Sequence, residues 1–316
     1  MSNFASGYIK YINHLEQIND AAISNPARMI NDVEGSYREH LRNIARNITE
    51  RKTPVRLVML SGPSSSGKTT TAHLLRDYLG TFGVRAEIIS LDDFYLGAER
   101  APMLPDGTRD YETVAALDGD RIRQCLSDVV TTGRFTVPRY SFALKRPDGP
   151  DREYQLAPED LAIVEGIHGL NPVFTQDLPE ESCVKLYVSI KQQIKDVNGE
   201  VISPWDLGLV RRIVRDIQFR DAPAELTLSM WPKVVEGENR YIRPYRISAD
   251  YTVNSIHIYE PCVLRTVAIP LLRAIAADSL YYKKARDLES RLMRFEPVDQ
   301  ALVPETSMLR EFLGKG

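Results

Sequence analysis

The stretch Gly62-Pro63-Ser64-Ser65-Ser66-Gly67-Lys68-Thr69-Thr70 carries the densest chemistry in the chain, because Gly62 to Thr69 fits the spacing G-x-x-x-x-G-K-[ST]. Each residue type has a physical reason to be there. Gly62 and Gly67 allow a tight turn that aims successive backbone N–H groups at phosphate oxygens. A helix beginning at Thr69 would add the partial positive charge of its N-terminus. Lys68 can reach the β- and γ-phosphates of a nucleoside triphosphate, and the Thr69 hydroxyl can ligate magnesium. Residues 62–70 are therefore expected to hold ATP, with Mg2+ as its partner. The bland alternative, a chance glycine and serine loop, fits poorly with the apolar run Val55–Leu60 before it and the helical pattern Thr69–Leu79 after it.

Two acidic segments stand at the same kind of place. Ser90-Leu91-Asp92-Asp93-Phe94-Tyr95 ends one apolar run and Ile163-Val164-Glu165-Gly166 ends another. Carboxylates at the carboxyl ends of strands lie where open α/β sheets place their ligands. One there can accept the proton of an attacking hydroxyl, bind magnesium, or both. A turn or helix cap is the structural alternative, since Asp serves both. The run Arg211-Arg212-Ile213-Val214-Arg215-Asp216 up to Arg220 puts several guanidinium groups on one helical face. Such a cluster can stabilise charge spreading over a phosphoryl group, or it can be a solvated face with Asp216 pairing Arg212 or Arg220.

These groups need a frame. Short apolar runs at Val55–Leu60, Arg85–Leu91, Leu161–Glu165, Val184–Ile190 and Asp250–Asn254 read as strands. Between them, Gly119–Thr132, Pro204–Arg220 and Ala224–Tyr241 read as helices, which predicts a parallel sheet covered on both faces. Ahead of Pro54, residues 1–53 are expected to be helical, with Ile30, Val33, Tyr37, Leu41, Ile44 and Ile48 on one stripe. Residues 260–294 read as helical again, followed by a tail that docks or frays. The expected organisation is a helical extension over 1–53, a kinase-like core over 54–258 with a lid around 204–247, and a second helical extension over 259–316.

Composition narrows the class. The 316 residues carry a formal net charge of −3, which gives no basis for binding nucleic acid or an anionic membrane. The N-terminal residues lack a basic patch followed by an apolar stretch, and the apolar segment 267–277 holds Pro270 and Arg273, so a cytoplasmic location is expected. Cys125, Cys183 and Cys262 match no metal spacing and read as buried, reduced thiols.

In their order, GPSSSGKTT, SLDDFY, PRYSF, IVEGIHGL and RRIVRDIQFR resemble the uridine kinase and phosphoribulokinase family across Val55 to Ser255. The resemblance implies a doubly wound, mostly parallel five-stranded P-loop sheet with a mobile helical lid. It also implies transfer of the γ-phosphoryl group of ATP to a hydroxyl of a small molecule, the 5′-OH of uridine, cytidine or a related nucleoside. Asp92 falls on the family's catalytic carboxylate and Glu165 on its magnesium-organising acid. Arg212, Arg215 and Arg220 fall on lid and phosphate arginines. Tyr95, Glu112 and Tyr140 fall on the nucleoside site, with Glu112 at the ribose hydroxyls. Three departures stand out: the Asp-His-Pro signature is absent, Lys145 stands where a histidine reads the pyrimidine edge, and Asp221-Ala222 replaces the last lid arginine. The lid sequence also resembles a bacterial branch with a threonyl-tRNA-synthetase-like region ahead of the kinase unit; these 316 residues hold no such module.

Other classes remain to be weighed. A GTPase switch would need Asn-Lys-x-Asp, and a transporter ATPase would need Leu-Ser-Gly-Gly-Gln; neither is present. A sugar, sugar phosphate or polyol is the rival acceptor, and Arg139, Lys145 and Arg146 are the cations a sugar phosphate would need. The expected partner is a small molecule rather than nucleic acid or membrane, and a homo-oligomer is compatible with everything above.

Overall fold

The computed structural model describes residues 13–314. Five strands, β1 (Leu57–Ser61), β2 (Ala86–Ser90), β3 (Leu161–Glu165), β4 (Cys183–Ser189) and β5 (Tyr251–Asn254), form one sheet in the order β5-β4-β1-β3-β2. Every pairing is parallel. The expected five-stranded doubly wound sheet is therefore what the chain forms. The central strand shows why: Leu57 and Met59 pack into one core, Val58 and Leu60 into the other, so β1 is apolar at nearly every position. Because β1 sits between β3 and β4, the loop that follows it opens at the middle of the sheet's carboxyl edge.

Nine helices flank the sheet among the described residues. They are α1 (Leu15–Ser24), α2 (Pro26–Thr49), α3 (Lys68–Thr81), α4 (Gly119–Thr131), α5 (Pro204–Arg220), α6 (Ala224–Gly237), α7 (Glu260–Arg273), α8 (Tyr282–Leu292) and α9 (Arg310–Leu313). Local chemistry starts several of them. Asn25 accepts a hydrogen bond from the Arg28 N–H at 3.0 Å ahead of Pro26 in the first turn of α2. Ser203 accepts from the Asp206 N–H at 3.0 Å and opens α5. The stripe of α2 is buried against α3, where the Tyr37 and Thr71 hydroxyls lie 2.6 Å apart.

One apolar core gathers residues from Leu15 to Leu313, so helices that precede and follow the sheet strands in the chain share one face of the sheet. The second, on the opposite face, gathers α4 and the hairpin Arg134–Val137 with Arg152–Gln155. That hairpin is not predicted by periodicity, because each strand spans only four residues and the second is polar. Residues 1–12 of the expected N-terminal helical region lie outside the described residues. The expected continuous helical stretch 260–294 divides at 274–281, where Ser279 accepts the Tyr281 N–H at 3.1 Å and competes with helical pairing. The expected helix Ala224–Tyr241 is α-helical to Gly237 and then widens into a π-turn over Glu238–Ile242. The tail docks rather than frays: Met308, Leu309 and Phe312 are fully buried. The three cysteines are buried free thiols, and no helix among the described residues is long and apolar enough to cross a membrane.

Candidate active site

The phosphate loop joins β1 to α3, as its spacing requires. Its first glycine is forced by a close approach, since a Cβ on Gly62 would lie 2.0 Å from the Val188 carbonyl oxygen. Gly67 adopts φ +86°, and a Cβ there would meet Met308 Cγ at 2.6 Å. Lys68 turns back on its own loop and donates to the Pro63 carbonyl at 2.8 Å. Thr69 is exposed on the first turn of α3.

Across the sheet edge, β2 and β3 pair so that Ser90 stands opposite Glu165, and the Ser90 hydroxyl donates to Glu165 Oε1 at 2.8 Å. Asp92 follows in a single turn of 3-10 helix. Burial raises its pKa, against the pull of Lys68, Arg220 and Arg215, which all face it. Burial, and next the charge of Asp92, push Glu165 up to about 7. The two acids of the neighbouring segments are thus brought together beside Lys68. Asp93 is not part of this pair: it accepts from Arg152 and from the Tyr140 N–H, and so fixes the 140–147 hairpin to the site.

The arginines of α5 separate into two roles. Arg212 donates to the Ser64 hydroxyl at 3.0 Å, and Asp216 gathers Arg212, Arg215 and Arg220 at 3.3, 2.8 and 3.6 Å. The pairing with Asp216 is thus what the chain forms, on a face where Arg212 is buried and Arg220 exposed. Arg211, grouped with them by helical spacing, is corrected by the structure. It points inward, fully buried, onto Glu260, with its Nη1 also donating to the Ser65 carbonyl at 3.2 Å.

The expected acceptor residues divide as well. Tyr95 packs against Tyr111 and Tyr140 with ring centroids 6.0 and 5.7 Å away, and its hydroxyl donates to the Tyr111 carbonyl. Glu112 is near Arg212 and Lys68, and burial raises its pKa despite them. Lys145 is not brought to this group: it is exposed at φ 53°, and it is its carbonyl that makes a contact, with the Ala98 N–H at 2.9 Å. Arg139 and Arg146 are exposed as well.

Sequence reading missed two of the acids that the fold places here, Glu238 and Glu311, and anticipated a third. Asp216 was legible, standing four residues from both Arg212 and Arg220. Glu238, in the π-turn after α6, accepts the Ser64 N–H at 3.1 Å, and burial pushes it up to about 7. Glu311 accepts from Thr70 Oγ1 at 3.0 Å and from the Thr70 N–H at 3.4 Å. No local pattern marks either of these last two. His168 of the IVEGIHGL segment is also buried, and burial pushes its ring down to about 4, so it is neutral at pH 7. A separate cavity of about 580 Å3 adjoins the loop beside α5 and α6, lined by Ser64, Ser66, Trp205, Trp231 and Arg243 but by none of Asp92, Tyr95 or Glu112.

Residues 57–260 match the model of the phosphoribulokinase/uridine kinase family. The chain belongs to that family. It is accordingly an ATP-binding phosphotransferase with a hydroxyl group as acceptor. Among the relatives of this kinase are a uridine kinase of Ureaplasma urealyticum, 26% identical over 64% of this chain and 88% of that protein, and one of Streptococcus mutans, 25% identical over 73% and 98%. Among solved structures, a Silicibacter protein described as a fructose transport system kinase covers 67% of this chain and 98% of its own, at 20% identity and a TM-score of 0.51. That likeness is one of fold.

Proposed function

We propose that this kinase transfers the γ-phosphoryl group of ATP to the 5′-hydroxyl of a nucleoside, uridine or cytidine first, in the cytoplasm and with Mg2+. The observation that carries the proposal is the grouping of Tyr95, Tyr111 and Tyr140 beside the carboxylates Asp92 and Glu112. A planar base suits an aromatic wall, and a ribose diol suits a carboxylate acceptor. The names of the uridine kinase relatives support the same acceptor. A sugar phosphate would need cations in the pocket, and the three candidates for that task are exposed on the 139–146 segment.

In this reading Asp92 orients the acceptor hydroxyl and takes its proton as the new O–P bond forms and the bond from the γ-phosphorus to the β,γ-bridging oxygen breaks. Lys68, Arg215 and Arg220 favour the ionised Asp92 carboxylate and partly offset its burial. Arg212, fixed on Ser64 and Asp216, faces the phosphates together with Lys68. The donor set fits magnesium: Glu165 is buried, the charge of the half-buried Asp92 raises its pKa, and a hydroxyl on Thr69 adds a third oxygen donor. Magnesium, when bound, supplies charge neutralisation on the phosphate oxygens. Lid closure over the site would keep water from competing as acceptor.

The deciding experiment is ADP release from ATP across a panel of nucleosides, sugars and sugar phosphates, with mass spectrometry of the product. Phosphorylation of a sugar phosphate and no nucleoside would overturn the acceptor assignment.

A further inference from the structure

Two backbone N–H groups of the phosphate loop are held by the chain's own carboxylates. Glu238, reaching down from the π-turn of the lid, takes the Ser64 N–H. Glu311, on the strap of residues 304–314, takes the Thr70 N–H and hydroxyl at the start of α3. These donors stand at the two ends of the loop whose inward amides would otherwise serve phosphate oxygens. A carboxylate and a phosphate offer such donors the same thing, a negatively charged oxygen.

The strap is built into the fold. Met308, Leu309 and Phe312 are fully buried. Met308 lies against Gly67 so closely that only glycine fits, and Phe312 lies under the Arg211 guanidinium at 5.2 Å. Ser307 is 3.1 Å from the Tyr259 hydroxyl. Taking the strap off the core would expose three large apolar side chains to water. Turning the Glu311 side chain out gives up only its two hydrogen bonds to Thr70, which water can replace. The strap therefore stays while its carboxylate can swing.

We infer that Glu311 and Glu238 are phosphate mimics, carboxylates that compete with the nucleotide for the amides of residues 64 and 70 and so weaken its binding until both side chains turn away. This rests on the phosphate-loop reading of residues 62–70. Competition through Glu238 ties nucleotide entry to the lid, and competition through Glu311 ties it to the strap, so the loop is charged only when both have given way.

The test uses inorganic tripolyphosphate, which probes the loop without a base, titrated calorimetrically into the full chain and into Glu311→Gln, Glu311→Ala and Glu238→Gln. Each variant is expected to bind about tenfold more tightly than the wild type, and Glu238→Gln/Glu311→Gln more tightly still, because repulsion at hydrogen-bond range is removed. Should Glu311→Ala lose its fold in a thermal melt, Glu311→Gln, equal in size and still able to accept from Thr70, decides the matter. Equal or weaker binding in Glu311→Gln overturns the inference, since a carboxylate that merely supports the helix would leave a looser loop on removal. Tripolyphosphate bound by neither the wild type nor any variant sinks the phosphate-loop reading itself, and the inference with it.

Discussion

Arg211 and Glu260 form a two-pronged ion pair in the core, Nε to Oε2 at 2.5 Å and Nη2 to Oε1 at 2.8 Å, with neither side chain exposed. The remaining donors of Arg211 go to the Ser65 and Ser255 carbonyls at 3.2 and 2.7 Å. One guanidinium thus braces the phosphate loop from behind and joins it to the segment after β5. Because both charges are desolvated, removing either leaves the other stranded.

Arg211→Met is expected to cost about 3–5 kcal/mol of stability, the scale for breaking a buried pair. Urea unfolding measures it. The double variant Arg211→Met/Glu260→Leu should lose less than the two single losses added together, because it strands no charge. Additive losses would mean that the pair is not a coupled unit.

Asp92→Asn keeps the size of the side chain and removes its basicity. ATP should still bind, while turnover falls roughly 10²-fold or more. Steady-state rates with the acceptor that the substrate panel identifies, alongside ATP titration, check both halves. Turnover within a few-fold of wild type would take Asp92 out of proton transfer.

Stability should depend on pH through Glu165. Its carboxyl sits at about 7 in the fold, against an ordinary value of 4.5, from burial first and the Asp92 charge second. The folded chain therefore holds this proton more tightly than the unfolded chain does. The stability it contributes is fully present below about 4.5 and is lost as pH rises through about 7. Glu165→Gln, neutral throughout, should match the wild type near pH 4 and exceed it at pH 8 by on the order of 2 kcal/mol. Melts in chelator at both pH values test this, and an equal gap at both would remove Glu165 as the cause.

Exposure of Lys145 predicts a silent substitution. Lys145→His should leave the ratio of kcat/KM for uridine over other nucleosides within about twofold, whereas Tyr95→Ala should raise the acceptor KM by about tenfold or more through lost aromatic contact. A shifted base preference in Lys145→His would return that side chain to the acceptor site.

The sheet and the phosphate loop were legible because each rests on adjacent residues. Apolar runs of five or so residues have little choice but a buried strand, and a G-x-x-x-x-G-K-[ST] turn between strand and helix has one geometry. Asp92 and Glu165 were legible for the same reason, as each stands at the carboxyl end of a strand. Arg211 shows where such reasoning stops. Helical spacing put it beside Arg215, but which way a guanidinium turns depends on Glu260, forty-nine positions on. Glu311 lies farther still, 241 positions from the Thr70 it contacts, and nothing local marks it. Contacts of that separation are set by the packing of α9 on α5, which no period in the sequence encodes.

The core shared by residues from Leu15 to Leu313 bears on how this enzyme can be cut. A fragment trimmed to residues 57–260, the span that the family model covers, would bare the faces where Tyr37, Leu41, Leu288 and Phe312 now sit. Such a piece should aggregate on expression, whereas its relatives of similar length are whole proteins. The flanking helices are in that sense a hull, and the catalytic machinery floats only inside it.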